Sequence, residues 1–440
     1  MTDAHRILLG PDRRGHSAFV EGGVVAWHGL GAPPPALMKG RRKVEHLPCP
    51  DAILRPGWVN AHTHLYSGLV PFGVPMPHPW PTTFVAILEQ LWWRLDRALD
   101  PNALRAAARV AIAEALLAGT TTLIDHHESP SAIAGSLDVL AAEAEALGIR
   151  AVLCYGATER NGGPDEAAAG LAECERFSRS IGAEHPTLRA MVGLHAGFTV
   201  SDPTITRAAA LARTLRIPLH VHVAEDATDV ADARQRGYAG SLARLLSLGA
   251  VRPGTILAHG IHVAPSELAE LAASAKSKAH QAFFVQNPRS NRGNGVGYPS
   301  ALIASRRVAL GTDGYPAHME AELAAAREEG ARFGEPATLA AARLRQGWRV
   351  AALHFGQQFG PLRMASSAFA TATKPVAADL VAMGPESAVH VLVGGRVVVR
   401  NGHLVGADLV TLQEEARVAA RRLAKKMSLT RAAAARPSRV

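Results

Sequence analysis

Eight short apolar runs, separated by helix-like stretches, recur through the middle of this 440-residue chain. They are Ile53–His64, Thr120–His127, Arg150–Tyr155, Ala190–His195, Pro218–His222, Thr255–His259, Ala282–Gln286 and Arg307–Asp313. Between them Leu104, Ala108, Ile112 and Leu116 repeat at a four-residue spacing, and Ser201-Asp-Pro is a helix-start signal. Near-continuous apolar strands alternating with helices bury both sheet faces. Eight such repeats predict an α/β fold, a parallel (β/α)8 TIM barrel. In that fold the active site lies where the strands end. The runs here end in His62, His64, His195, His222, His259 and Asp313.

The two ends of the chain are different. Residues 1 to about 55 are rich in Gly, Pro and Val, and Val389–Val405 is strand-like, with the hairpin pair Asn401-Gly402 inside it. The expected organisation is therefore a small β-sandwich built from both ends. Residues 1–55 supply its first part, 56–370 form the barrel, and 371–440 supply its second part plus a basic helical tail. Hydrophobic residues make up 48% of the chain, yet no apolar run is long enough to span a membrane and no signal-peptide core opens it. The expectation is a soluble cytoplasmic protein, with reduced thiols at Cys49, Cys154 and Cys174, which lack CxxC spacing. The net charge of +9 is scattered, apart from Lys39–Lys43 and the tail Arg421–Arg439. No nucleic-acid motif accompanies these clusters, so they read as solvated surface.

Residues two apart on a strand point the same way, so His62 and His64 offer two imidazoles to one point. Three imidazoles and a carboxylate suit a catalytic divalent metal that keeps a position for water. His-x-His alone is a weak signal among 20 histidines, as His220-Val-His222 and His259–His262 show. The specific pattern is His-x-His closing the first run, His-x-x-Glu225 closing the fifth and Gly-Thr-Asp-Gly314 closing the eighth.

In these motifs the chain resembles the amidohydrolase superfamily, in particular the aminohydrolase and chlorohydrolase branch that includes guanine deaminase and the triazine hydrolases. The likeness is closest to the SsnA-like aminohydrolases. It rests on His62-Thr-His-Leu-Tyr-Ser-Gly-Leu, Leu88–Asp100, Asp125-His-His-Glu-Ser-Pro130 with Gly135–Asp138, and Asn287-Pro-Arg-Ser-Asn291. The resemblance implies metal ligation by His62, His64, His222 and Asp313, with Glu225 as proton shuttle and His259 orienting water or an oxyanion. Asp313 would also take a proton during the reaction. The resemblance further implies one divalent ion, zinc or iron, without a carboxylated lysine, since the fourth run ends in His195. The activity implied is hydrolytic deamination of a small nitrogen heterocycle, a purine-related catabolite. Hydrolysis of a cyclic amide or a carbon–chlorine bond, or binding without catalysis on the same scaffold, are the competing readings. A homodimer that binds neither nucleic acid nor membrane completes the expectation.

On the substrate side His195 matches a contact position in related deaminases. His126 and His127 end the second run, so one of them should face the barrel mouth. Tyr66 and Trp93 are candidates to stack on a flat ring. Trp93 lies off the helical face formed by Phe84, Ile87, Leu88, Leu91 and Leu95. His220 reads as packing inside the barrel, His262 as a loop residue, and Asn287 and Asn291 as fixing the loop after the seventh run. Tyr315 and His318 stand where relatives carry small polar residues, and are expected to reshape the pocket.

Overall fold

The computed structural model describes residues 6–40, 43–274, 281–360 and 376–434. Strands β1 (Arg6–Asp12), β2 (His16–Glu21), β3 (Val24–Leu30) and β4 (Glu45–Cys49) form one sheet in the order β3-β2-β1-β4. A second sheet joins β5 (Ile53–Pro56) to the C-terminal strands β16 (Leu380–Met383), β17 (Ala388–Val393), β18 (Arg396–Arg400) and β19 (His403–Leu404). Ile7, Leu9, Val20, Leu47 and Leu54 pack against Leu380 and Leu392 in a shared core. The two chain ends thus close one sandwich. The β18–β19 turn is Asn401-Gly402 with φ of 48° and 80°, the left-handed pair that a tight hairpin needs. The expected junction at residue 370 lies outside the described residues.

The barrel strands are β6 (Trp58–Thr63), β7 (Thr120–Asp125), β8 (Arg150–Leu153) with β9 (Gly156–Ala157), and β10 (Leu188–Ala190) with β11 (Val192–Ala196). They continue with β12 (Leu219–Val223), β13 (Ile256–His259), β14 (Phe283–Gln286) and β15 (Val308–Leu310). All their pairings are parallel. The ring closes where Thr312 and Asp313 N–H donate to His62 O at 2.9 and 3.0 Å. That closure depends on Gly311, where a Cβ would lie 2.7 Å from His62 O and 2.6 Å from Asn287 Oδ1. The first apolar run is cut at Gly57, so that β5 belongs to the sandwich and β6 to the barrel.

Helix Pro101–Leu117 begins on an Asp100 cap and buries Leu104, Ala108, Ile112 and Leu116, the four residues whose spacing predicts it. The basic tail forms helix Leu409–Ala434. It lays Leu412, Ala416, Ala420, Leu423 and Met427 into the core shared with helix Pro101–Leu117 and keeps its described cationic side chains at or near the surface. No helix among the described residues is long and apolar enough to cross a membrane.

Candidate active site

The strand ends bring the predicted metal ligands together. His64 Nε2 lies 2.9 Å from Asp313 Oδ1 and 3.2 Å from His222 Nε2, and His62 Nε2 is 3.3 Å from the same carboxylate oxygen. The ring nitrogens turned away from this point are all engaged. His64 Nδ1 meets His126 O at 2.5 Å, His222 Nδ1 meets His195 O at 2.5 Å, and His62 Nδ1 meets His220 Nε2 at 2.8 Å. Carbonyl oxygens only accept, so the Nδ1 atoms of His64 and His222 carry hydrogens and their Nε2 atoms face each other. Against its burial, the Asp313 carboxylate pushes the His64 pKa up to about 10, so without a metal its Nε2 also holds a proton. The two nitrogens, 3.2 Å apart, tolerate each other only with a cation at this point, the His64 proton or a metal ion in its place. A tetrahedral ion with bonds of about 2.1 Å holds its ligands about 3.4 Å apart, which matches the spacing found. The donor set therefore fits one divalent ion.

His259 also belongs to this group, since its ligand atom and those of His62, His222 and Asp313 all lie within 4.8 Å of one another. Its Nδ1 is held by Asn291 Oδ1 at 2.9 Å, and Asn287 Nδ2 stands 3.4 Å from the ring. The two asparagines thus fix an imidazole as well as a loop. His64, His126 and Glu128 form a second cluster. There His126 Nε2 donates to Leu194 O at 3.0 Å, Nδ1 faces Glu128 Oε1 at 2.8 Å, and His64 Nδ1 is engaged by His126 O. His64 Nδ1 and His126 Nε2 are taken by backbone carbonyls, which leaves only His126 Nδ1 and Glu128 free there, so the cluster reads as support beneath the site.

Glu225 lies 3.5 Å from His259 Nε2. Burial, with the Asp313 carboxylate beside it, holds the Glu225 carboxyl well above the ordinary carboxylate range, which favours its protonated form. Burial also lowers the pKa of His259, keeping that ring neutral. Three non-glycine residues here adopt left-handed backbone: Ala224 at φ 48°, His259 at 71° and Asp313 at 54°. Such conformations persist only where the surroundings enforce them, and in this chain they mark the mouths of three strands. Asp229 helps to enforce the first of them, accepting from Ala224 N at 2.7 Å and from Phe198 N at 3.0 Å.

A cavity of about 540 Å3, its open mouth included, extends from Asp313 and Glu225 past Tyr66, Trp93, His195 and Phe198. Tyr66, Trp93 and His195, the substrate-side candidates of the sequence, all line it. His195 Nδ1 gives its hydrogen to Thr199 Oγ1, whose own hydroxyl donates to Ala196 O. Its Nε2 is thereby an acceptor, and burial beside Arg160 keeps the ring neutral.

The expectations for four residues are corrected. Neither His126 nor His127 lines the cavity. β7 stops at Asp125, after which His126 is drawn under the ligands by Leu194 O and Glu128, and His127 turns to Ser129 Oγ at 2.8 Å. Glu128 is the residue of that segment that reaches the wall. Tyr315 and His318 do not reshape the pocket either. Arg289 stacks on the Tyr315 ring outside it, and His318 caps the helix Met319–Arg332. His220 packs inside the barrel as expected and in addition holds His62.

The sequence reading also misses Trp92 and Asp96 on the cavity wall. A single π-helical turn, Leu88–Trp92, interrupts the helical period between Phe84–Ile87 and Trp93–Ala98. Leu91 and Leu95 go to the core while Trp92, Trp93 and Asp96 turn to the cavity.

The model of the amidohydrolase family matches residues 53–345, and the chain belongs to that family. It is 29% identical over 405 residues to 8-oxoguanine deaminase of Pseudomonas aeruginosa, a match that covers 84% of this chain and 87% of that one. It is 31% identical over 270 residues to 5-methylthioadenosine/S-adenosylhomocysteine deaminase of Moorella thermoacetica, covering 60% of this chain and 58% of the relative. The crystal structure of an adenosine deaminase from Xanthomonas campestris with bound zinc superposes with a TM-score of 0.77 at 24% identity, over 96% of this chain and 98% of that one.

Proposed function

We propose that this chain is a metal-dependent hydrolytic deaminase that removes the exocyclic amine of a purine-class heterocycle. The carrying observation is the pairing of a divalent-ion donor set with Glu225, a carboxyl whose pKa its surroundings raise, in the same cavity. Relatives that deaminate purine derivatives support the reading.

His62, His64, His222 and Asp313 would hold the ion, which when bound supplies Lewis acidity that draws the pKa of water toward neutrality. Zinc suits three imidazoles and one carboxylate. Glu225 delivers its proton to a ring nitrogen as the amine-bearing carbon becomes tetrahedral. His259 Nε2 accepts a hydrogen bond from the attacking water and orients it. Asp313 accepts the proton that the water loses and passes it to the exocyclic amine, which leaves as ammonia as the C–N bond breaks. Tyr66, Trp93 and Phe198 cover the ring faces, and His195 Nε2 accepts from a ring N–H.

We further assign residues 1–55 and 371–440 to the small domain with its tail and 56–370 to the barrel, and take the working form to be a cytoplasmic homodimer. Sedimentation of the purified protein checks the dimer. The test of function is elemental analysis followed by an ammonia-release screen of the metal-loaded protein against purines, pterins, pyrimidines and triazines. Less than about a tenth of an equivalent of transition metal, with no activity after reconstitution, would refute the metal assignment. Chloride release from a triazine with no ammonia from any purine would transfer the site to the carbon–chlorine reading.

A further inference from the structure

Beyond the reacting centre, the cavity wall holds polar atoms that no protein group satisfies. Asp96 is buried; its Oδ2 accepts from Arg160 Nη2 at 2.7 Å, while its Oδ1 has no partner. Arg160 is itself fixed, with Nε on Thr158 Oγ1 at 3.2 Å and its guanidinium carbon 4.9 Å from the centre of the Trp93 ring. The indole Nε1–H of Trp93 is buried and also unpartnered. Asp96 and Trp93 are three residues apart on one helix and so share a face. Both line the cavity with His195, whose ring centre is 6.4 Å from that of Trp93. Buried polar groups are normally paired, so an unpaired acceptor and donor side by side in a cavity wall point to a ligand that pairs them.

The required ligand can be read from the hydrogens. His195 Nε2 and Asp96 Oδ1 are acceptors, and Trp93 Nε1–H is a donor. Together they complement a heterocycle that offers ring N–H groups beside a carbonyl. An adenine-type six-membered ring offers only lone pairs, so His195 would face an acceptor with an acceptor. An oxopurine base supplies what is missing. In 8-oxoguanine the N1–H lies near the C2 amine, and the far ring carries N7–H, C8=O and N9–H.

Building on the deaminase reading above, we propose that Asp96, braced by Arg160, and the Trp93 N–H form the specificity subsite. It selects an N–H-rich oxopurine free base over adenine-type bases and nucleosides. The reaction balances as 8-oxoguanine plus water giving urate plus ammonia, with the C2–N bond broken and a C2–O bond formed.

The test compares the holoenzyme with Trp93→Phe and Asp96→Asn. Ammonia release is measured with 8-oxoguanine, guanine and 5-methylthioadenosine, and urate binding by calorimetry. The wild type is expected to prefer 8-oxoguanine to 5-methylthioadenosine by at least about a hundredfold in kcat/KM. Asp96→Asn should lower kcat/KM for 8-oxoguanine at least about thirtyfold and weaken urate binding comparably. Trp93→Phe keeps the ring and removes only the N–H. It should lower the 8-oxoguanine-to-guanine ratio about tenfold, because guanine has no C8 carbonyl to lose. If Asp96→Asn does not fold, that ratio alone decides.

A preference for 5-methylthioadenosine would overturn the subsite, as would ratios and urate binding within about twofold of wild type in both variants. Deamination would stand in either case. Urate binding that both variants lose, with no ammonia from any purine, would keep the subsite and sink the deaminase reading. Neither binding nor release would sink both.

Discussion

The floor and the wall of this cavity hold their polar side chains by different means. On the floor, His64 and His222 each give their Nδ1 hydrogen to a backbone carbonyl at a neighbouring strand end, so strand pairing itself sets their direction. On the wall, Asp96 is aimed by the side chain of Arg160, 64 residues further along, from a helix with a π turn behind it. Backbone partners move only if the barrel moves. Side-chain partners can be exchanged one at a time without disturbing the barrel. A floor that fixes the chemistry and a wall that varies the substrate follow from this difference, as expected where many specificities share one fold.

Emptying the floor should have the largest effect. His64→Ala removes one ligand, and with it the 3.2 Å approach to His222 Nε2, so elemental analysis should show most of the metal lost, and ammonia release should fall by a factor of about 1,000 or more. A variant that kept a full equivalent of metal and its turnover would break the assignment. Next, Glu225→Gln should retain the metal while lowering kcat about a hundredfold or more, because an amide cannot deliver the proton. Equal losses of metal and activity in that variant would make Glu225 a ligand in place of a proton donor.

His220→Ala sharpens the comparison from beneath. It touches no metal, yet it holds His62 Nδ1 at 2.8 Å, and removing such an outer partner typically costs about 10-fold to 100-fold in metal affinity. Competition with a chelator measures this, and an unchanged affinity would mean that the β6 backbone alone orients His62.

The floor was legible in the sequence because strand periodicity and strand termini determine it. His62 and His64 share a face by their two-residue spacing, and Asp313 follows directly on a run that closes the barrel. The sandwich was legible for a similar reason, since Asn401-Gly402 specifies its turn locally. The wall was not. A strict helical period puts Leu91 and Leu95 on one face correctly, but the extra residue of the π turn decides where Trp92 and Asp96 point, and no spacing rule reports it. The acid itself was a signal, since Asp96 follows directly on the buried Leu95 and needs a partner. That partner, Arg160, lies after β9, where its sequence context is silent. His126 and His127 were misplaced because the strand ends two residues earlier than the apolar run, at Asp125, and strand alternation does not govern the side chains after it.

The smallest expected effect tests whether the wall is independent of the metal. His127 stands behind Tyr66, its ring centre 5.9 Å from that of Tyr66 and 5.7 Å from that of Tyr155. Ser129 Oγ donates to Ala132 O and so accepts from His127 Nε2, while His127 Nδ1 is buried without a donor. Burial holds its pKa down to about 3, against an ordinary 6.5 in the unfolded chain. A histidine whose folded value is depressed contributes stability that is present above about 6.5 and lost as pH falls toward 3. Between pH 7 and pH 5 that loss is about 2 kcal/mol, at 1.36 kcal/mol per pKa unit. His127→Gln takes up no proton in that range, so its Tm should fall less on acidification than that of the wild type, by roughly 2–4 °C. The floor histidines also become protonated on acidification, so the informative quantity is the difference between the two proteins, measured with and without chelator. Chelation should shift both proteins equally and leave that difference intact. A difference that vanished with the metal would join wall and floor into one unit.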